Sequence, residues 1–124
     1  MKAQVLRAYD EKLSNERWVS EEKVPDPKLT KSTDVIVRIG GAGVCRTDLH
    51  IIEGVWKPHM DPTGDKLLPI IMGHENAGWI EEVGKEVEGV KKGDPVIVHP
   101  KITGGTCLAC RRGFDMHGPG TFPG

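Results

Sequence analysis

No apolar run in this sequence approaches the ~20 residues that cross a bilayer. The opening Met1-Lys2-Ala3-Gln4 lacks the apolar stretch of a secretory leader. No membrane partner is therefore expected. An excess of one charge is missing as well: 17 basic and 18 acidic residues leave a net charge of −1, with neither sign strongly clustered. Nothing in that balance calls for nucleic acid or an anionic surface. Cysteine is scarce. Three residues form no disulfide framework, and this points to a reducing, cytoplasmic setting. Internal repeats and low-complexity tracts are absent too. The 124 residues are enough for one domain with its own core and too few for two.

Turn-forming residues, by contrast, are plentiful. Sixteen glycines and nine prolines favour strands and turns over a helical bundle. Lys2 to Leu6 reads as a first strand, with Arg17 to Ser20 pairing across the turn-like Asp10 to Asn15. Val24-Pro25-Asp26-Pro27 is extended loop, because proline fixes φ and pushes its predecessor out of the helical region. Asp34 to Ile39 is the clearest strand, with Val35, Val37 and Ile39 on one face at period two. Gly40-Gly41-Ala42-Gly43 is expected to turn sharply. Thr47 to Glu53 is expected to be a short helix, and Trp56 to Lys66 a long polar loop. Gly78 to Val83 and Pro95 to Val98 are further strands. This pattern is mostly β, with the strands closing wholly or partly into a barrel. Residues 118–124 show no periodicity and read as an irregular tail.

Two segments carry chemistry. The first contains Cys45, Thr47, Asp48 and His50 in the order Cys-x-Thr-Asp-x-His. The second is Gly73-His74-Glu75, followed by Gly78 and Gly84 in the order Gly-His-Glu-x-x-Gly-x-x-x-x-x-Gly. Thiolate, imidazole and carboxylate are all good zinc ligands. Taken singly, a buried cysteine is usually a small hydrophobe and a histidine a satisfied core or surface residue. Two ordered signatures in one short chain are a far more specific signal.

Together with Val24-Pro25-Asp26-Pro27 and Lys92-Gly93-Asp94, these segments resemble the zinc-type alcohol dehydrogenases of the medium-chain dehydrogenase/reductase superfamily, with a thermophilic and archaeal flavour. The resemblance spans nearly the whole chain and implies a GroES-like, partly open barrel over residues 1–124. It also implies oxidation of alcohols, or reduction of aldehydes and ketones, with zinc and NAD(P). By resemblance, Cys45 and His74 are catalytic-zinc ligands, and Glu75 is a carboxylate that approaches the metal in some states. Thr47 touches the substrate oxygen, His50 relays the proton to solvent, and Asp48 orients a ligand. Arg46 sits where the family places a cation on the cofactor's pyrophosphate. Trp56 lines the substrate pocket or is an ordinary core aromatic.

The sequence departs from that family in two places. Gly41-Ala42-Gly43-Val44-Cys45-Arg46 begins like a dinucleotide-binding turn but has arginine where the third glycine belongs, and no other such turn is present. By resemblance the Rossmann domain and the third zinc ligand lie beyond residue 124. The chain alone is thus expected not to turn over, and its grip on zinc to be weak. The uncovered apolar face can then drive homo-oligomer formation. The second departure concerns the family's structural zinc. Its ligand spacing falls on Gly104, Cys107, Cys110 and Gly118, and two of these have no side-chain donor. Two thiolates do not close a tetrahedral site. Asp115 or His117 standing in, a redox pair, and an unoccupied remnant with free thiols, disordered without its metal, are the readings open here; the last one leads. At the level of function, the alternative to a dehydrogenase domain is a non-catalytic GroES-like module that binds metal or itself.

Overall fold

A computed structural model describes residues 1–61, 63, 66–118 and 120–121, with backbone alone at 59, 60, 120 and 121. In chain order the strands are β1 (Lys2–Leu6), β2 (Val19–Lys23), β3 (Val35–Gly43), β4 (Ile70–Ile71), β5 (Glu75–Val83), β6 (Pro95–Ile97), β7 (Ile102–Thr103) and β8 (Gly120–Thr121). Helix α1 (Arg46–Glu53) follows β3, α2 (Lys57–Met60) follows α1, and α3 (Leu108–Arg111) lies between β7 and β8. A 3₁₀ turn covers Asp115–His117. The strands form three antiparallel sheets, ordered β2-β1-β4, β3-β5-β6 and β7-β8. Among the described residues they do not close into one barrel, which agrees with the partly open form expected. No described helix is long and apolar enough to cross a membrane.

The core forms where α1 lies on the first sheet. Leu6, Ile51 and Ile52 are buried together, with Leu13, Val19, Leu49, Trp56, Leu68, Ile70 and Met72 packed around them. Burial of this apolar surface is what holds α1 in place, because an isolated helix of eight residues is marginal in water. Gly54 ends the helix in the left-handed conformation, φ +73°, and its N–H returns to the last turn.

Some expectations are corrected. The glycines after Ile39 do not turn; β3 runs on through Gly43, paired with β5 to Glu75. Glycine is needed at 40 for another reason, since a Cβ there would lie 2.5 Å from the indole of Trp79. Register shifts between Ile36 and Val37 and between Ile39 and Gly41 leave Glu81 on β5 and Gly40 on β3 as the extra residues, as bulges do. The stretch from Trp56 to Lys66 is likewise not all loop. Lys57–Met60 form α2 with proline in the first turn, a position that needs no N–H partner; residues 62, 64 and 65 lie outside the described set. Within 118–124, Gly120 and Thr121 pair with Thr103 and Ile102. Pro119 and residues 122–124 lie outside the described set.

Asp61, fully buried, ties α2 to the chain start. It accepts the Tyr9 hydroxyl at 2.7 Å and the Lys66 N–H at 2.9 Å. Burial first, and then this hydrogen bond, push the Tyr9 phenol up to about 12. The folded state therefore holds the Tyr9 proton more tightly than the unfolded chain does. The stabilisation is complete below pH ~10 and is lost as pH rises towards 12. In Tyr9→Phe the alkaline slope that Tyr9 contributes should disappear, and about 1–3 kcal/mol should be lost at neutral pH, because a hydrogen bond to a buried carboxylate is removed. Urea denaturation at pH 7 and pH 10.5 measures both effects.

Candidate metal centre

Two elements build the site. At the end of β3, Cys45 leaves the strand with extended backbone and caps α1, its Sγ accepting the Thr47 N–H at 3.2 Å. Asp48 answers from inside the helix, its Oδ2 accepting the Cys45 N–H at 2.8 Å. This reciprocal pair satisfies N–H groups that a helix start leaves without partners. It also fixes both side chains. His74 comes from the second element, where Gly73, at φ +102°, bends the chain between β4 and β5.

The bend brings His74 against Cys45 across 29 residues of sequence. Its Nε2 lies 3.6 Å from Cys45 Sγ, and its Nδ1 lies 3.4 Å from Asp48 Oδ1. One atom each from Cys45, Asp48 and His74 lie within 4.8 Å of one another, the one such metal-capable trio among the described residues. The imidazole has only two nitrogens. With Nδ1 facing the carboxylate, Nε2 is the nitrogen turned towards the thiol, and Asp48 sits as the orienting partner. The spacing tests whether zinc fits. Zn–S and Zn–N bonds of about 2.3 and 2.0–2.1 Å at a tetrahedral angle put the two donor atoms roughly 3.6 Å apart. The 3.6 Å separation of the Cys45 and His74 atoms therefore matches that of two ligands on one zinc ion.

The other sequence-predicted residues are placed as follows. Thr47 and His50 lie on α1, one turn apart. His50 Nε2 accepts the Arg46 Nε–H at 3.2 Å, and its ring meets Trp56 edge-on with centroids 5.9 Å apart. Trp56 also packs against the Leu6 core cluster, so it joins His50 to the core. Arg46 is exposed and reaches Glu53 at 3.8 Å as well as His50. Glu75 is not in the trio. It opens β5 opposite Gly43, and a Cβ at Gly43 would meet its carboxylate at 2.6 Å. A cleft of about 410 Å³ beside His74, lined by Ile51, Ile70 and Met72 among others, is not foreseen in the sequence. The signal that points to it is the apolar run Leu67 to Met72, which leads straight into the His74 motif. Gly41 and Gly43 lie within a strand whose ladders are antiparallel, so no parallel βαβ turn is formed there.

Cys107 and Cys110 sit together elsewhere, in a lobe with regular structure. Cys107 caps α3, and the two sulfurs are 3.1 Å apart. The Cys110 N–H, followed by the Cys110 thiol, draws the Cys107 thiol below its ordinary value; the same thiol contact, followed by burial, raises Cys110. Asp115 pairs with His99 at 3.1 Å.

Comparison with known proteins follows the same lines. Residues 31–124 match the alcohol dehydrogenase GroES-like domain. The chain is 46% identical over 112 residues to a D-arabinose 1-dehydrogenase (NADP(+)) of Saccharolobus solfataricus, covering 90% of this chain and 28% of that protein. It is 36% identical over 117 residues to an NAD-dependent alcohol dehydrogenase of Sulfolobus acidocaldarius, covering 94% and 32%. The crystal structure of an alcohol dehydrogenase from the archaeon Aeropyrum pernix superposes with a TM-score of 0.81 at 50% identity, over 100% of this chain and 33% of that one. The chain thus spans about a third of the length of the relatives it matches.

Proposed function

The chain belongs to the alcohol dehydrogenase GroES-like domain family, and from that membership we propose that it supplies the zinc-gripping and proton-relaying part of an NAD(P)-dependent alcohol dehydrogenase. The reaction is interconversion of a small alcohol with its aldehyde or ketone. The observation that carries this reading is the 3.6 Å separation of Cys45 Sγ and His74 Nε2, the spacing a shared zinc ion asks for. When bound, zinc supplies Lewis-acid polarisation of the alcohol oxygen. Cys45 and His74 would hold it, and Asp48 would keep the His74 ring turned. Thr47 accepts the hydroxyl proton at its Oγ1, and His50 carries it towards solvent. Because His50 Nε2 accepts from Arg46, its Nδ1 bears the proton in the neutral ring. Ile51, Ile70 and Met72 offer an apolar wall to the substrate's carbon end.

These 124 residues contain no glycine-rich dinucleotide turn. Orienting a nicotinamide supplies on the order of 7–11 kcal/mol of barrier lowering in favourable cases, so the chain alone should not turn over. A zinc or cobalt titration of the chain, followed by an NAD(P)-linked alcohol assay on the same sample, tests both halves of the reading. The expected result is one metal per chain and no turnover. Absence of metal at Cys45 and His74 sinks the first half, and measurable turnover the second. Asp48→Asn retains an oxygen for the Cys45 N–H but weakens the hold on His74. Its metal affinity should fall about 10–100-fold while the thermal midpoint stays near that of the parent.

Exposed apolar side chains favour a second reading. Ile97 is 86% exposed beside Trp79, Gly40 and Gly41, an apolar face suited to self-association. Dimers that persist on dilution, with no metal taken up, would favour a non-catalytic module.

A further inference from the structure

The sulfurs of Cys107 and Cys110 do not have the spacing of a zinc pair. Two thiolates on one tetrahedral zinc lie roughly 3.8 Å apart, given Zn–S bonds of about 2.3 Å. Here they are 3.1 Å apart, in direct sulfur–sulfur contact. The ground beside them is occupied by backbone: at Gly118 a Cβ would lie 2.6 Å from Cys110 Sγ and 2.9 Å from Cys107 Sγ. The nearby carboxylate, Asp115, is paired with His99. Among the described residues no third donor completes a metal group with these two thiols.

The same features suit a different bond. Residues three apart across one helical turn have Cα atoms on the order of 5 Å apart, inside the range a disulfide spans. Both thiols are free and half-buried, and α3 has no buried residue, so a small reagent can reach them. Cys107 Sγ accepts the Cys110 N–H at 3.3 Å, and Cys110 Sγ lies beside it. The sulfur that accepts hydrogen bonds is the one that best carries negative charge.

We propose that Cys107 and Cys110 form a dithiol that closes reversibly to an intramolecular disulfide by exchange with a low-molecular-weight disulfide of the glutathione class. The Cys107 thiolate attacks one sulfur of the small disulfide. A Cys107–S–S–R bond forms, the R–S–S–R bond breaks, and one RS⁻ leaves. Cys110 gives its proton to solvent and attacks the Cys107 sulfur. The Cys107–Cys110 bond forms and the second RS⁻ leaves. Two protein thiols are oxidised and one small disulfide is reduced to two thiols. The bond closes a single turn in the lobe that carries β7 and β8, apart from the sheets that hold Cys45 and His74.

The test equilibrates the full chain in glutathione buffers of increasing oxidised fraction, quenches with an alkylating agent and maps the three cysteines by mass spectrometry. Residues 107–110 should lose two hydrogens in mass as the oxidised fraction rises, and dithiothreitol should restore them. Cys110→Ser should trap one glutathione on Cys107. Cys107→Ser should trap at least ten-fold less on Cys110. The proposal is overturned if both thiols stay alkylatable at every ratio, if Cys45 is the partner recovered, or if Cys110→Ser gains no adduct. It is equally overturned if the chain holds zinc that is lost in Cys107→Ser and that keeps the two thiols from joining. The parent titration needs no variant to fold.

Discussion

Zinc uptake by the Cys45→Ser chain is expected to fall by more than the about 10–100-fold assigned to loss of an orienting partner, because a metal-facing donor itself is removed. Cys45 Sγ lies 3.6 Å from His74 Nε2, and on binding the ion it would supply the negative charge of a thiolate ligand. A serine hydroxyl carries no negative charge at neutral pH and is a poor zinc ligand. Serine is chosen over alanine because Cys45 has a second duty. Its sulfur caps α1 through the Thr47 N–H, and losing such a cap costs about 1 kcal/mol. A serine oxygen caps at least as well, so the thermal midpoint should hold while the metal is lost. Zinc titration, read by competition with a chromophoric chelator, measures the first quantity and calorimetry the second. Cys107→Ser is the control and should leave uptake unchanged. Equal uptake by Cys45→Ser and the parent would remove the metal centre from this part of the molecule.

Gly78→Ala is expected to have a large effect on stability. A Cβ at Gly78 would stand 2.2 Å from the Arg38 carbonyl oxygen and 3.0 Å from the Ile39 Cα, both on the neighbouring strand's backbone. No rotamer relieves a clash with backbone. Either β3 and β5 separate there or the strand buckles, and the long ladder that carries Glu75, next to His74 in sequence, is lost with it. The cost should exceed about 4 kcal/mol, the tail of the distribution for single substitutions. A small domain has on the order of 5–15 kcal/mol in all, so Gly78→Ala should be largely unfolded or insoluble. Gly41→Ala, on the paired strand with nothing within 4 Å of the added atom, is the comparison. It should shift stability by less than about 1 kcal/mol. Denaturant midpoints of the two variants should therefore differ widely, and matching midpoints would mean that the close approach of the strands is not as described.

Residue types and their order along the chain already single out Cys45 and His74 as a candidate pair. Cys45 and His74 are a thiol and an imidazole at motif spacing, and their flanking glycines mark positions where backbone must bend or approach closely. Gly73 and Gly78 meet those two needs, the first by a positive φ and the second by contact with Arg38. The helix after Cys45 is readable because an acceptor side chain followed three residues later by an acid is a local signal. The strands β1, β3, β5 and β6 are readable as well, because alternation and β-branched residues are properties of neighbours in sequence.

Other features are decided only in three dimensions. The glycines after Ile39 continue a strand because Trp79, from the neighbouring β5, lies over Gly40, and no local pattern reports a neighbour on another strand. Glu75 stays out of the Cys45–Asp48–His74 group because pairing with Gly43 sets which way its side chain leaves the ladder, and register is a relation between strands. The two pairs of donors, equally plausible on paper, differ in spacing. Cys45 and His74 stand at zinc spacing, while Cys107 and Cys110 stand closer than zinc allows, with Gly118 closing the space beside them. The chain's chemistry is written in its residue types, whereas the distances that select one chemistry over another arise from packing between segments far apart in sequence.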